Sequence, residues 1–383
     1  MARISSKTSK GVICMINRER MVSEFKSFVS IDSLSRKERQ MADVLTQKMK
    51  ALGCEVYEDN AGQEIEGNTG NLICTLKGNK DIPALMITAH MDTVEPGTGK
   101  KPIEENGIIH SDGTTVLGGD DAAGIECILE VLRVLGEDKL DHGDIQIVFT
   151  VAEEGGLFGA KHLDYSRIYS KYAIVLDSDG PIGTVAVKAP SQYRMYVTVK
   201  GLAAHAGIAP EKGISAIQIA SAAISAMKLG RLDFETTANV GVITGGRETN
   251  IVCDRVEIKA EARSRDKEKL ERQKDHMKEC FEKAASDFGG SVDFRAILEY
   301  PSYNISKDAK IIAILEKAAK AAGIELLQEE TGGGSDTNIF NGKGIEAVDV
   351  SVGMDKVHSV SEQIRIDDMV KAAGFVLSAV RSM

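Results

Sequence analysis

Ala84-Leu85-Met86-Ile87-Thr88-Ala89-His90-Met91-Asp92-Thr93 reads as a buried strand that runs directly into charge. Its first half is apolar enough for the interior of an α/β sheet, where both faces are covered. His90 and Asp92 stand two residues apart, so on a strand both point to one face. A neutral imidazole is a common zinc ligand, and a carboxylate beside it fixes its tautomer. Ligands also gather at the carboxyl ends of strands in open α/β sheets. Taken alone, the pair reads first as a His and an Asp capping a strand end.

Two further stretches repeat the pattern. Asp144 to Ala152 is a second apolar strand, and it ends in Glu153-Glu154-Gly155-Gly156. Tyr172 to Leu176 is a third, ending in Asp177-Ser178-Asp179-Gly180-Pro181. Between the first two lies Leu117-Gly118-Gly119-Asp120-Asp121, which opens an amphipathic helix from Ala122 to Leu135. Asp121 there reads as a cap that favours the helix dipole. One acidic strand end is unremarkable; three, with helices between them, predict side chains converging on one place.

The remaining elements frame this core. Helices are expected within Met21–Met49, one ending near Ile31 and one running from about Met41 to Leu52, with Ser33–Glu38 as the turn. Thr93 to Ile109 reads as a Gly- and Pro-rich loop. Beyond Pro181 the style changes. Ser191 to Lys200 alternates apolar and polar residues, as a sheet with one wet face does. Helices at Ile214–Met227 and Asp266–Asp287, with strands at Thr237–Ile243, Asn250–Arg263 and Ser291–Leu298, complete an α+β block inserted from about residue 186 to 297. The first style then returns. A helix spans Asp308–Ala322, a strand Ile345–Val350, a loop holding His358 spans Gly353–Ser361, and a closing helix spans Asp367–Val380. The domains are therefore 1–185 and 298–383 for the α/β part, with 186–297 inserted.

Composition narrows the function classes. With 383 residues, two domains are the default. A net charge of −10 argues against nucleic acid or an anionic membrane as partner. Gly11–Ile16 is too short for a signal-peptide core, and no apolar run reaches bilayer length, so a cytoplasmic protein is expected. The six cysteines, Cys14, Cys54, Cys74, Cys127, Cys253 and Cys280, have no paired spacing and read as structural thiols in a reducing compartment. Thr331-Gly332-Gly333-Gly334-Ser335-Asp336 lacks the Gly-Lys-Ser/Thr ending of a P-loop, and no dinucleotide fingerprint follows the first strand.

Carboxylates and imidazoles arriving from separate strand ends are what a two-metal hydrolytic site needs. The run Thr88–Thr93, Gly118-Gly119-Asp120-Asp121, Glu153-Glu154-Gly155, Asp177 and the late His358 resembles the M20 metallopeptidases, and within them the peptidase T-like branch. The likeness covers nearly the whole chain and includes the inserted block.

The resemblance implies a zinc-exopeptidase-like three-layer catalytic domain with an inserted α+β lid and dimerisation domain. It implies two Zn2+ per chain, with cobalt or manganese as alternatives. His90 would bind one metal and His358 the other, Asp120 would bridge both, and Glu154 and Asp177 would each join one. Asp179 stays open as the alternative to Asp177. Asp92 would orient His90, and Glu153 would be the general base. His205 would help hold the substrate carbonyl, Arg263 would bind the substrate carboxylate, and Asn250 would line the pocket. Gly333, Gly334 and Ser335 would offer N–H groups to an anion. Ala122 stands where the family often has Lys, and Cys253 where the Asn-Ile-Val run usually continues into Pro.

The activity implied is a dinuclear exopeptidase that cleaves short peptides from the amino end, working as a homodimer. An amidohydrolase of N-acyl or N-carbamoyl amino acids, a carboxypeptidase or dipeptidase, and a binding protein that has lost catalysis are the competing readings.

Overall fold

The computed structural model describes Val12 and residues 15–383, so Gly11, Ile13 and Cys14 of the Gly11–Ile16 run lie outside the described residues. The chain divides into two compact units. The first takes the chain up to Val187 together with Ile305–Glu330 and Ser335–Met383; the second is Lys188–Asn304 with Thr331–Gly334. Against the inserted block expected at 186–297, the second unit starts at Lys188 and runs to Asn304, and its last long strand continues to Tyr300.

The first unit is built on a mixed sheet. Along its main path the strands run Glu55–Glu58, Leu72–Leu76, Ile145–Thr150, Leu85–His90, Tyr172–Asp179, Glu346–Asp355, Gln363–Arg365, Ile108–His110 and Ile103–Glu105. The middle four are parallel to one another. Every residue of Leu85–His90 and of Ile145–Thr150 is buried, which explains why apolar residues dominate both, with Thr88, His90, Gln146 and Thr150 as the polar exceptions. Because the strands are parallel, their carboxyl ends lie on one edge, and that edge is where His90, Glu153 and Asp177 emerge.

Helix Gly119–Glu137 packs on these strands, flanked by Arg18–Val29 and Ile366–Ser382. On this helix, expected to be amphipathic, Gly124, Ile125, Ile128, Leu129 and Leu132 are buried, but so is nearly everything else, Glu126 and Glu130 included. Neighbours on several sides replace the wet face an amphipathic helix would have. The guanidinium of Arg20 makes the burial of Glu130 tolerable, with Nε 2.7 Å from Oε2 and Nη2 3.0 Å from Oε1.

The stretch expected as a loop at Thr93–Ile109 contains a hairpin, Ile103–Glu105 with Ile108–His110, which pairs onto Gln363–Arg365. Its turn is Asn106-Gly107, with φ of 52° and 78°. That dipeptide favours a left-handed two-residue turn and was the signal for the hairpin.

The second unit is an antiparallel sheet in the order Gly230–Arg231, Thr236–Gly245, Arg255–Ser264, Ser191–Lys200, Ser291–Tyr300. Helices Ala216–Ala226 and Lys267–Phe288 cover one face, where Met195, Val197, Val199, Ile258 and Ala260 meet Ile219, Met277 and Phe281. Arg194, Tyr196, Lys259, Glu261 and Arg263 alternate with the buried set and so share the other face. The strand expected from Asn250 begins only at Arg255. Residues 250–252 instead bond to the His205 segment, with Ala206 N–H donating to Asn250 O at 2.9 Å and Val252 N–H to Ala204 O at 2.9 Å.

Candidate metal centre

His90 is the last residue of its strand and 2% exposed. Its Nε2 lies 2.8 Å from Asp120 Oδ1 and 3.4 Å from Asp177 Oδ1. His358, in the loop after strand Glu346–Asp355, places Nε2 3.2 Å from Asp120 Oδ2 and 2.8 Å from Glu154 Oε1. The two oxygens of one carboxylate thus face two different imidazoles. The ligand atoms of His90, Asp120 and Asp177 all lie within 4.8 Å of one another, as do those of Asp120, Glu154 and His358. A third such group is His90, Glu153 and Glu154. Asp179 takes no part; it lines a separate cavity of about 610 Å³ beside Arg365 and Lys371.

The positions are fixed by hydrogen bonds to the backbone. Asp92, fully buried, accepts from Glu153 N–H at 2.9 Å and Glu154 N–H at 3.2 Å, and its Oδ1 lies 3.4 Å from His90 Nδ1. Ser35 donates to the same carboxylate. One side chain therefore holds the turn that carries the two glutamates and stands beside the ring of His90. Asp121 accepts from Gly124 N–H at 2.9 Å, as a helix cap does, and from His90 N–H at 3.2 Å.

Glu362 accepts from Gly118 N–H at 2.9 Å and Asp120 N–H at 3.0 Å, which aims Asp120. Glu38 accepts from Ala152 N–H at 3.0 Å, and Asp349 from Asp177 N–H at 3.2 Å. These three carboxylates escaped sequence reasoning. Each is a lone acid in a loop, turn or strand, and nothing local marks its distant partner.

The electrostatics are those of an anionic cage around two imidazoles. Burial pushes Asp177 well above the usual carboxylate range against the attraction of His90, and neighbouring Asp120 adds to the rise. Burial likewise raises Glu153, helped by Asp177. Asp120 is held low: burial opposes its ionisation, but its bonds to His358 and His90 outweigh that. Bonds to Asp120 and Glu154 push His358 up to about 10.

Two nitrogen-plus-carboxylate triads sharing one carboxylate suit a pair of borderline divalent cations, so the residues fit the metals the sequence implies.

A pH prediction follows for metal-free protein. His358 and the raised carboxyls, including Asp349 at about 7, bind protons more tightly folded than unfolded. Between the unfolded and folded pKa values the native state therefore holds more protons, and stability falls as pH rises. The Tm of chelator-treated protein is expected to drop from pH 5.5 to 8.5. The Tm increment on adding zinc is expected to grow over the same range, because cations bind the deprotonated ligands. A flat or rising metal-free Tm would count against this cage.

The residues assigned to substrate lie elsewhere in the chain. His205, Asn250, Arg263 and Gly334 belong to the second unit, and Ser335 to the first. His205 and Asn250 are exposed, and their segments bond to each other as described. Arg263 forks onto Glu261, Nε to Oε1 and Nη2 to Oε2, both at 3.1 Å. Gly334 packs so closely on Tyr300 that a Cβ would sit 2.3 Å from its ring. Gly333 N–H donates to Thr331 Oγ1 at 3.0 Å. Ser335 N–H donates to Asn338 Oδ1 at 3.1 Å within a capping box, so both N–H groups have partners inside the chain.

Comparison with known proteins places this geometry. Residues 86–382 match the model of peptidase family M20/M25/M40. The chain belongs to that family, and it is a peptidase, a hydrolase of a metal-dependent class. It is 45% identical to the crystal structure of aminopeptidase PepT from Bacillus cereus, with a TM-score of 0.88 over 96% of this chain and 99% of that one. It is 40% identical to a tripeptidase from Staphylococcus aureus, with a TM-score of 0.92 over 96% and 98%. The uncharacterised protein YqjE of Bacillus subtilis is 46% identical over 96% of this chain and 99% of its own length.

Proposed function

We propose that the protein is a dinuclear metal-dependent aminopeptidase of tripeptidase type, acting on short peptides. The observation that carries this is Asp120, whose two oxygens face His90 and His358 separately. Asp177 completes the His90 side and Glu154 the His358 side. The similarity to an aminopeptidase PepT and a tripeptidase supports the substrate class. Zinc is the metal this donor set favours, with cobalt or manganese as substitutes. Two such cations would supply Lewis acidity and lower the pKa of a water to near neutrality.

The chain's own residues do the rest. Glu153 stands beside both triads yet outside the two that share Asp120, so its carboxylate is free to take a proton and return it to the leaving amine. Asp92 keeps it in place by holding its backbone N–H. Arg263 takes the substrate carboxylate, His205 helps hold the substrate carbonyl, and Asn250 lines the pocket. Arg263→Ala is expected to raise KM for a tripeptide roughly 10–100-fold, the loss of a charged hydrogen-bonded pair, with a smaller effect on kcat. An unchanged KM would leave Arg263 as a sheet-face partner of Glu261 alone.

The working form is a homodimer. Strand Thr236–Gly245 pairs on its outer side only at Thr237 and Ala238, which leaves an open edge. On that strand Val242 and Ile243 are about half exposed, at 46% and 53%. An unprotected apolar edge of this kind suits pairing with a second copy. No helix of the described residues is long and apolar enough to cross a membrane. The net charge of −10 argues against nucleic acid or an anionic membrane surface as partner, and the location proposed is the cytoplasm.

The test is purified protein with zinc against a panel of tripeptides, dipeptides and N-acetyl amino acids. Release of the amino-terminal residue from tripeptides, abolished by chelator, is the expected outcome. Preference for N-acetyl amino acids would replace this function with an amidohydrolase.

A further inference from the structure

The two imidazoles of the centre are held by different means. His90 ends a buried strand that is paired on both sides. It also has its own tie to the turn of the bridging carboxylate, because its N–H donates to Asp121 Oδ2 at 3.2 Å. His358 lies in the loop of residues 356–362, with its side chain 52% exposed and φ at 60°. A non-glycine residue stays in that left-handed region only where its surroundings hold it. The loop is closed at its base by the pairing of Asp355 with Gln363, and its last residue is Glu362, 1% exposed.

Glu362 reaches from this loop to the Asp120 turn. Its Oε2 accepts from Gly118 N–H at 2.9 Å and its Oε1 from Asp120 N–H at 3.0 Å. A Cβ on Gly119 would lie 3.1 Å from Oε1, so the carboxylate rests against bare backbone between the two N–H groups. The main chain of Glu362 is tied as well. Its N–H donates to Ser359 O at 3.1 Å, and its O accepts from Ser111 N–H at 3.1 Å. One residue thus joins the segment that presents His358 to the segment that presents Asp120.

We propose that Glu362 is a positioning residue that sets the second cation site by fixing the His358 loop against the Asp120 turn. The first site depends on it less, since the sheet and the Asp121 bond hold His90. Glu362 touches neither substrate nor metal; it acts through the ligands, as outer partners of metal ligands do. The inference rests on the two-cation reading above.

The test is titration of metal-stripped, full-length protein with zinc in competition with a chromophoric chelator of known affinity, which resolves two dissociation constants. Glu362→Gln keeps the shape and one acceptor oxygen but turns an NH2 toward one of the two N–H groups. It is expected to weaken one zinc site roughly 10–100-fold and to leave the other within about 3-fold. Glu362→Ala is expected to be at least as severe at the same site. His358→Ala identifies that site by removing one of its ligands. Adding Glu362→Gln to His358→Ala is expected to leave the remaining constant within about 3-fold, because both changes act on one site.

Two unchanged constants in Glu362→Gln, equal weakening of both, or a further loss in the double variant would overturn the proposal. A parent protein that takes up a single zinc refutes the two-cation reading itself. A parent that takes up two, with Glu362→Gln indistinguishable from it, removes only the positioning role.

Discussion

Glu153→Gln is expected to lower kcat about 10³-fold, within the range of roughly 10²–10⁴ that a positioned general base contributes. KM and metal content are expected to stay near those of the parent. The expectation follows from placement. Glu153 is 7% exposed, and its backbone is tied to Asp92 Oδ1 at 2.9 Å. Its side chain shares a 4.8 Å group with His90 and Glu154 without joining either triad built on Asp120. Gln keeps the size and one acceptor oxygen but cannot take the proton. Full activity in this variant, measured by single-turnover release of the amino-terminal residue, would remove Glu153 from the chemistry.

Asp120→Asn is expected to be at least as severe and to differ in kind. The amide presents one oxygen and one NH2, so it cannot offer an acceptor to both His90 and His358. Loss of at least one bound cation is expected. With it goes several kcal/mol of transition-state stabilisation, or about 10³-fold or more in kcat. Elemental analysis separates the two variants: Glu153→Gln keeps its metal and Asp120→Asn does not. An Asp120→Asn protein with full metal content and activity would contradict the bridging role.

Much of this fold was visible in the chain. Parallel strands buried on both faces are mostly apolar, and Leu85–His90, Ile145–Thr150 and the buried run 173–176 of Tyr172–Asp179 advertise that in their composition. Their charged ends stand out for the same reason, so His90, Glu153, Glu154 and Asp177 could be picked out by eye. Alternation in Ser191–Lys200 showed a sheet with one covered face.

What stayed hidden depends on contacts between distant segments. Glu362 reaches Asp120 N–H from 242 residues away, and Asp349 reaches Asp177 N–H from 172 residues away. Neither sits in a pattern of period 2 or 3.6. Glu38 looked like part of a helix-starting turn, whereas its carboxylate accepts from Arg36 N–H and Ala152 N–H. The choice between Asp177 and Asp179 could not be made from an Asp-Ser-Asp run; a register shift after Val175 in the ladder to the neighbouring strand separates their surroundings. The hairpin at Asn106-Gly107 was legible and was outweighed by the surrounding Gly and Pro.

The central claim is a pair of cations sharing Asp120. A crystal structure of the zinc-loaded protein, with data at the zinc absorption edge, addresses it directly. The expected result is two anomalous peaks about 3.5–4 Å apart. One would lie among His90, Asp120 and Asp177, the other among Asp120, Glu154 and His358. A single peak, or peaks away from Asp120, would contradict the account.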